Sequence, residues 1–314
     1  NKAAYHEQLK KLLKDNIFGV DVDPDAINVA IFSLYVTLLD FIEKPTDVED
    51  FHFPPLLNEN FFAADFFDLE AGYNEVLKQQ DLRFIVGNPP WGKVKKSAAL
   101  YGAYWKNREK TETQLLRERT MDKKAKVAIK VSNEEISEAF LIRVSDFAKS
   151  YTQFSFIIKS RSLYKSNAQD FRKYLLSNFK INNVLEISSV RFEIFDKSND
   201  SSVHPAAILS YSYSPNHDSK NIVTHISLKP NRFFTAFKLL VIEKFDKKEV
   251  PQNLLLENDW LWKVLVYGNI LDYYLIKKLK TSFRSLGELN KTFLGFQRGN
   301  RKDDIPDTKG WKIL

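Results

Sequence analysis

At 314 residues and 44% hydrophobic content the chain can bury one large core or two modest ones, which excludes disorder throughout and points to an enzyme-sized domain with an appendage. Forty-seven Lys and Arg against 40 Asp and Glu give a net charge of +7, yet the stretch from Lys93 to Lys130 alone holds 12 bases and 4 acids, so the basic character is local. With no cysteine, five His without metal-ligand spacing, and no apolar run long enough to cross a bilayer, the composition excludes disulfides, zinc knuckles, thiol nucleophiles and a membrane span, and a cytoplasmic protein that needs no metal is expected.

The elements alternate from the start. Tyr5 to Lys14 has helical spacing, with Leu9, Leu12 and Leu13 on one side, and feeds the short apolar strand Ile17-Phe18-Gly19-Val20. That strand ends at Asp21-Val22-Asp23-Pro24, and the proline opens a helix through Ala30, Leu34 and Leu38. A loop with Pro54, Pro55 and Asn58 leads to a strand around Phe61–Ala64 that ends at Asp65, followed by a helix from Leu69 to Gln80. Phe84-Ile85-Val86-Gly87 is a third apolar strand, and Asn88-Pro89-Pro90-Trp91 stops both helix and ladder behind it. In open α/β sheets ligands sit beyond the carboxyl ends of the strands, so Asp21, Asp65 and Asn88 are expected to line one crevice.

The basic stretch comes next, with Tyr101, Tyr104 and Trp105 near its start. It reads equally as a track for a phosphate backbone, with Lys93, Lys95, Lys96, Arg108, Lys123 and Lys124 as contacts, or as a solvated surface helix. Beyond it the pattern predicts a helix from Glu135 to Lys149, a buried strand Phe154–Ile158, a helix Asn167–Asn178 and a strand Val184–Ile187. A loop containing Phe192 and Phe195, a strand Ala206–Tyr213, a turn from Pro215 to Asn221 and a strand Ile222–Leu228 follow. Asp259 to Lys280 is expected to form one long or broken helix.

Asparagine, two prolines and an aromatic at a strand end suit the methylation of an exocyclic amine. Such an amine is a poor nucleophile because its lone pair is delocalised into the ring, and acceptors for its N–H groups free that pair. The Asn88 side-chain oxygen and the Pro89 carbonyl can be those acceptors, with the prolines locking the turn and Trp91 offering a flat face to a base taken out of its stack.

Phe84 to Gly92 resembles the catalytic motif of amino-methyltransferases. Its Gly-Asn-Pro-Pro-Trp form is most similar to the Eco57I-like N6-adenine DNA methyltransferase domains of single-chain, type IIG restriction–modification enzymes. Phe18 to Pro24 is similar to that family's second motif and Ala64-Asp65-Phe66-Phe67 to its third. The resemblance implies S-adenosylmethionine as cofactor, with Asp21 and the adjoining Val22 at its ribose and Asp65 and Phe66 at its adenine. It further implies that Trp91 and Phe195 stack on the target base, with Phe192 as the fallback and a plain core role equally open for either.

The implied fold is α/β, a Rossmann-like S-adenosylmethionine-dependent methyltransferase sheet, over residues 1–255. A helical bridge at 256–284 and the beginning of a target-recognition domain at 285–314 would follow. The family's glycine-rich first motif has no counterpart, since none of the ten glycines are spaced as Gly-x-Gly. The sheet is therefore expected to lack its first strand and glycine-rich turn, so that the chain alone holds half a donor site. Ser160 stands where relatives often carry proline. The partner implied is double-stranded DNA, with nuclease and target-recognition regions covalently linked in a longer parent. A protein-glutamine methyltransferase and a non-catalytic DNA-binding fragment stay open as alternatives.

Overall fold

The computed structural model describes residues 2–42, 52–93, 99–127, 131, 135–195, 204–213, 220–237, 239–285 and 288. The chain divides into two compact units, Asn1–Tyr267 and Gly268–Leu314.

The first unit begins with α1 (Lys2–Asn16), β1 (Gly19–Asp21) and α2 (Pro24–Leu39). The start of α2 is specified locally: Pro24 needs no N–H partner in the first turn, and the Asp23 carboxylate accepts the Asp25 N–H at 2.9 Å. Ile27, Ile31 and Leu38 fall on one stripe of α2 and are buried against Leu13, Leu56 and Phe61, each contributing on the order of 1.5–3 kcal/mol by leaving water. β2 (Phe61–Ala63) pairs in parallel with β1, Gly19 opposite Phe61 and Asp21 opposite Ala63. Glycine is required at 19 because a Cβ there would lie 2.7 Å from the Phe61 ring.

After α3 (Tyr73–Gln79), β3 (Phe84–Gly87) starts a six-stranded mixed sheet. The remaining elements of the unit are α4 (Ala99–Thr120), α5 (Ile136–Arg143), β4 (Gln153–Lys159), α6 (Gln169–Asn178), β5 (Phe179–Glu186), α7 (Arg191–Ile194), β6 (Ala206–Tyr213), β7 (Ile222–Ser227), α8 (Arg232–Phe237), β8 (Lys247–Pro251), α9 (Gln252–Glu257) and α10 (Leu261–Tyr267). Strand order is β3-β4-β6-β5-β7-β8, with β3/β4 and β5/β7 parallel and the other pairs antiparallel. The alternation of β4 buries Phe154, Phe156 and Ile158, and Phe154 stacks on Tyr211 at 4.7 Å while Phe179 meets Tyr211 edge-on at 5.1 Å.

Among the described residues, β1 and β3 each have one ladder partner, so the sheet is split into a parallel pair and a six-stranded part. The two parts share one apolar cluster, to which Val20 of β1, Phe62 of β2 and Ile85 of β3 all belong. Phe84 and Val86 of β3 are 70% and 73% exposed, as befits an edge strand.

Several predicted boundaries move. The helix expected from Leu69 forms only from Tyr73, and the helix expected through Lys149 ends at Arg143 and tightens into a 3-10 turn, Val144–Phe147. β5 begins at Phe179 rather than Val184, and Phe192, expected in a loop, lies in α7. The helix expected over Asp259–Lys280 is broken: α10 ends at Tyr267, and α11 (Ile270–Ser282) restarts behind an Asn269 cap whose side chain accepts the Leu271 N–H at 2.7 Å. Residues 256–267, assigned to a bridge on sequence, instead pack into the first unit, where Trp262 is fully buried. The division falls at Gly268. The turn expected at 215–221 and the target-recognition segment from 285 lie largely outside the described residues.

Candidate active site

Asp21 ends β1, and Asp65 follows the end of β2 by two residues. Parallel pairing, continued by the Ala64 N–H donating to the Asp21 carbonyl at 2.8 Å, brings both acids to one end of the strand pair. Each is exposed, and each uses one carboxylate oxygen to brace its own turn: Asp21 accepts the Asp23 N–H and Asp65 the Phe67 N–H, both at 2.8 Å. Among the described residues the second oxygen of each has no hydrogen-bond partner. Two such acceptors on neighbouring strands fit the nucleoside half of a methyl donor, whose ribose hydroxyls and adenine amine all donate. Val22 beside them is 71% exposed. Phe66 is half-buried, its ring stacked on Phe140 at 4.9 Å and lying beneath the Arg143 guanidinium at 5.4 Å.

Asn88 leaves the end of β3 with its side chain exposed and, among the described residues, unbonded. Pro89 is buried and Pro90 exposed. Trp91 turns inward and packs against Ile187, Val190, Ala206 and Leu228, a cluster that Phe195 also joins, so the two candidate base-stacking rings share one apolar site. The Trp91 indole N–H is buried without a partner among the described residues, and the His204 ring lies 6.3 Å away. Phe192 is exposed, with Arg191 over its ring at 4.1 Å.

The turn carrying these residues is held from behind by groups the sequence reading missed. The Gly92 N–H donates to the Glu135 carboxylate at 3.0 Å, the Ile136 N–H to the Gly92 carbonyl at 2.9 Å, and the Lys159 ammonium to both Glu135 oxygens at 3.1 and 2.9 Å. One residue past Lys159, the buried Ser160 hydroxyl donates to Glu186. This gives the serine a specific partner.

Glu186 also accepts the Ser188 hydroxyl and, at 3.0 Å, the Ser188 N–H. Burial raises its carboxyl above the ordinary value of 4.5, and these hydrogen bonds oppose the shift. Because the folded state holds this proton more tightly than the unfolded chain, stability should fall as pH rises from 4.5 to the raised value and level off above it. Glu186→Gln is expected to remove that part of the decline, read as urea midpoints across the window.

The basic stretch divides in two. Arg108 is a correction: its guanidinium faces inward, donating to Glu112 at 2.9 Å, to the Tyr104 and Tyr174 hydroxyls at 2.8 and 2.7 Å, and to Asp146, so it is spent on the interior and is not free for phosphate. Lys93, Lys123 and Lys124 are exposed, and Lys95 and Lys96 lie outside the described residues. No helix among the described residues is long and apolar enough to cross a membrane.

A mixed α/β architecture whose strand ends carry two exposed acids and an Asn-Pro-Pro-Trp turn defines a domain with the fold of a Rossmann-like methyltransferase. A family model described as Eco57I restriction-modification methylase matches residues 15–195, and the chain belongs to that family. Membership implies a methyl-donor cofactor.

Solved structures it resembles include the DNA-bound ATP-dependent Type ISP restriction-modification enzyme LlaBIII, with a TM-score of 0.49 and 12% identity over 73% of this chain and 16% of that one. A type I methyltransferase subunit from Streptococcus thermophilus aligns with a TM-score of 0.47 and 14% identity over 78% and 47%. The type IIG restriction endonuclease BpuSI gives 0.46 and 11% over 89% and 33%. The chain thus spans less than half the length of each. No curated protein matches the sequence.

Proposed function

We propose that this chain is the catalytic part of a restriction–modification enzyme that transfers a methyl group from S-adenosylmethionine to N6 of adenine in a specific double-stranded DNA sequence. The observation that supports it most is the geometry behind β3. Asn88 is exposed with its acceptor unspent, and Trp91, three residues on, shares an apolar cluster with Phe195.

In this reading the Asn88 amide oxygen and the Pro89 carbonyl accept the two N–H bonds of the target amine and localise its lone pair. Trp91 and Phe195 hold the extruded base between them. The open oxygens of Asp21 and Asp65 receive the donor's ribose hydroxyls and adenine amine, flanked by Val22 and Phe66. When bound, the donor supplies a methyl group on a positive sulfur, and the protein's contribution is alignment of the amine with it. Lys93, Lys95, Lys96, Lys123 and Lys124 contact phosphates, adding salt-dependent affinity without sequence choice. Target choice falls to the segment from residue 285, and cleavage to a linked nuclease region.

The test is methyl-label transfer to mixed-sequence duplex DNA by the protein at its full natural length, followed by nucleoside analysis. N6-methyladenine is expected. A folded protein that binds the donor yet yields no adenine product would sink the reading and redirect it to a protein-glutamine substrate.

A further inference from the structure

The turn that presents Asp65 and Phe66 is not held by its own strand. Besides the Asp65 carboxylate, a buried cation and two side chains of the following helix hold it. Arg143, at the end of α5, has a side chain only 1% exposed, and its Nε donates to the Phe66 carbonyl at 2.9 Å across 77 residues of sequence. Its Nη2 donates to the Tyr73 hydroxyl at 3.2 Å and to the Asn74 amide oxygen. Tyr73 in turn donates to the same Phe66 carbonyl at 2.7 Å, and the Asn74 amide nitrogen donates to the Asp68 and Ala71 carbonyls, each at 2.8 Å. The guanidinium also lies over the Phe66, Tyr104 and Phe147 rings at 5.4, 5.1 and 4.8 Å.

Its charge is balanced by Asp146, which accepts from Nη1 at 2.7 Å through one oxygen and from Arg108 of α4 through the other. Among the described residues, the hydrogen bonds that Arg143, Tyr73 and Asn74 donate to this turn end on the backbone carbonyls of Asp65, Phe66, Asp68 and Ala71 and none ends on the Asp65 carboxylate, so the network bonds the turn without spending that side chain. A charge buried to this degree costs several kcal/mol unless it is fully bonded. A methyl or aromatic group would fill the same space without that cost, and fixing the turn is what the guanidinium adds.

We infer that Arg143 is a positioning residue for the methyl donor: with Tyr73 and Asn74 it sets the 65–68 turn for the donor's nucleoside, and through Asp146 and Arg108 it ties that turn to the basic helix α4. The inference rests on the proposed methyl transfer, and its test separates the two.

Tyr73→Phe keeps the ring packing and removes the hydroxyl. Arg143→Lys keeps the charge and loses the fork. Both are compared with wild type and Asp65→Ala in S-adenosylmethionine affinity by calorimetry, in KM and kcat for methyl transfer, in duplex affinity and in amide hydrogen exchange. Loss of one or two hydrogen bonds predicts a donor Kd and KM raised roughly tenfold, with kcat at saturating donor and DNA affinity unchanged. Arg143→Lys should retain more affinity than Arg143→Met. The Phe67 and Asp68 amides, bonded to Asp65 at 2.8 and 3.0 Å, should lose protection while the β4/β6 ladder keeps it.

Wild-type donor affinity in both variants, with Asp65→Ala impaired, overturns the inference and leaves the functional reading standing. A wild type of full natural length that binds no donor defeats the functional reading. Exchange then still decides the positioning, and unchanged turn protection in Tyr73→Phe overturns it.

Discussion

Replacing Asn88 by alanine is expected to lower kcat for methyl transfer by about 10²–10³-fold, the effect of deleting one preorganised hydrogen-bonding group that acts on charge developing in a transition state. The loss should fall on kcat because the amine's lone pair becomes available only as the bond to carbon forms, and an acceptor that strengthens with that change contributes little to the ground state. Donor affinity should be untouched, since Asp21 and Asp65 stand on other strands. Stability should change by less than about 0.5 kcal/mol, because the Asn88 side chain is exposed and, among the described residues, makes no hydrogen bond. Single-turnover rates with prebound DNA and donor would read the chemical step directly. An Asn88→Ala protein that turns over at the wild-type rate removes this residue from the chemistry.

The largest stability effect is expected at a buried ion pair on α6. Arg172 of α6 is 1% exposed and makes a two-pronged pair with Asp259, Nε and Nη2 each 2.6 Å from a carboxylate oxygen, while its Nη1 donates to the Ser162 carbonyl at 2.9 Å. Asp259→Ala leaves the guanidinium buried and uncompensated, and a loss of about 3 kcal/mol is expected, the lower end of the range because Asp259 itself is partly accessible at 27%. Replacing both partners, as in Arg172→Met with Asp259→Leu, should recover most of that loss, because it removes the buried charge along with its partner. Urea midpoints of wild type, Asp259→Ala and the double variant test this, and a double variant no more stable than Asp259→Ala would refute the argument.

The parts of the fold that could be read from sequence are those where local chemistry and tertiary structure agree. The three strand ends were legible because each short apolar run stops at Asp or Asn, and two of them at proline as well, and α2 was legible from Asp23 and Pro24. β5 was half-legible. A register shift between Ile181 and Asn183 resets its alternation, so Phe179 and Ile181 face inward in one phase and Val184 in the other, which no single period of two describes. β8, Lys-Lys-Glu-Val-Pro, carries the charge and proline of an edge strand and offers no apolar run at all.

Arg108 was assigned to phosphate because counting charge does not register which side of a helix a charge faces. Its spacing of four from Tyr104, which is 2% exposed, and seven from Tyr101 puts it on the inward stripe. Arg143 carried the same signal, four residues after the buried Ala139 and seven after Ile136. In both helices a basic residue in phase with the apolar stripe marked an internal fastener. What no local pattern could supply was the distant acceptor each one meets, Asp146 and Tyr174 for Arg108 and Phe66 for Arg143.

α5 spans the distance between the two fastenings. At its start Glu135 grips Gly92 behind the Asn-Pro-Pro-Trp turn, and at its end Arg143 grips Phe66 behind the 65–68 turn. Eight residues at 1.5 Å each set these grips about 12 Å apart, along a rod that bends little over two turns. The helix therefore works as a gauge block between the Asn-Pro-Pro-Trp turn and the 65–68 turn. One residue added within it would slide one grip about 1.5 Å and turn it about 100° against the other. Under the proposed methyl transfer a shift of that size exceeds what in-line alignment tolerates, so a one-residue insertion in this helix is expected to lower kcat as Asn88→Ala does.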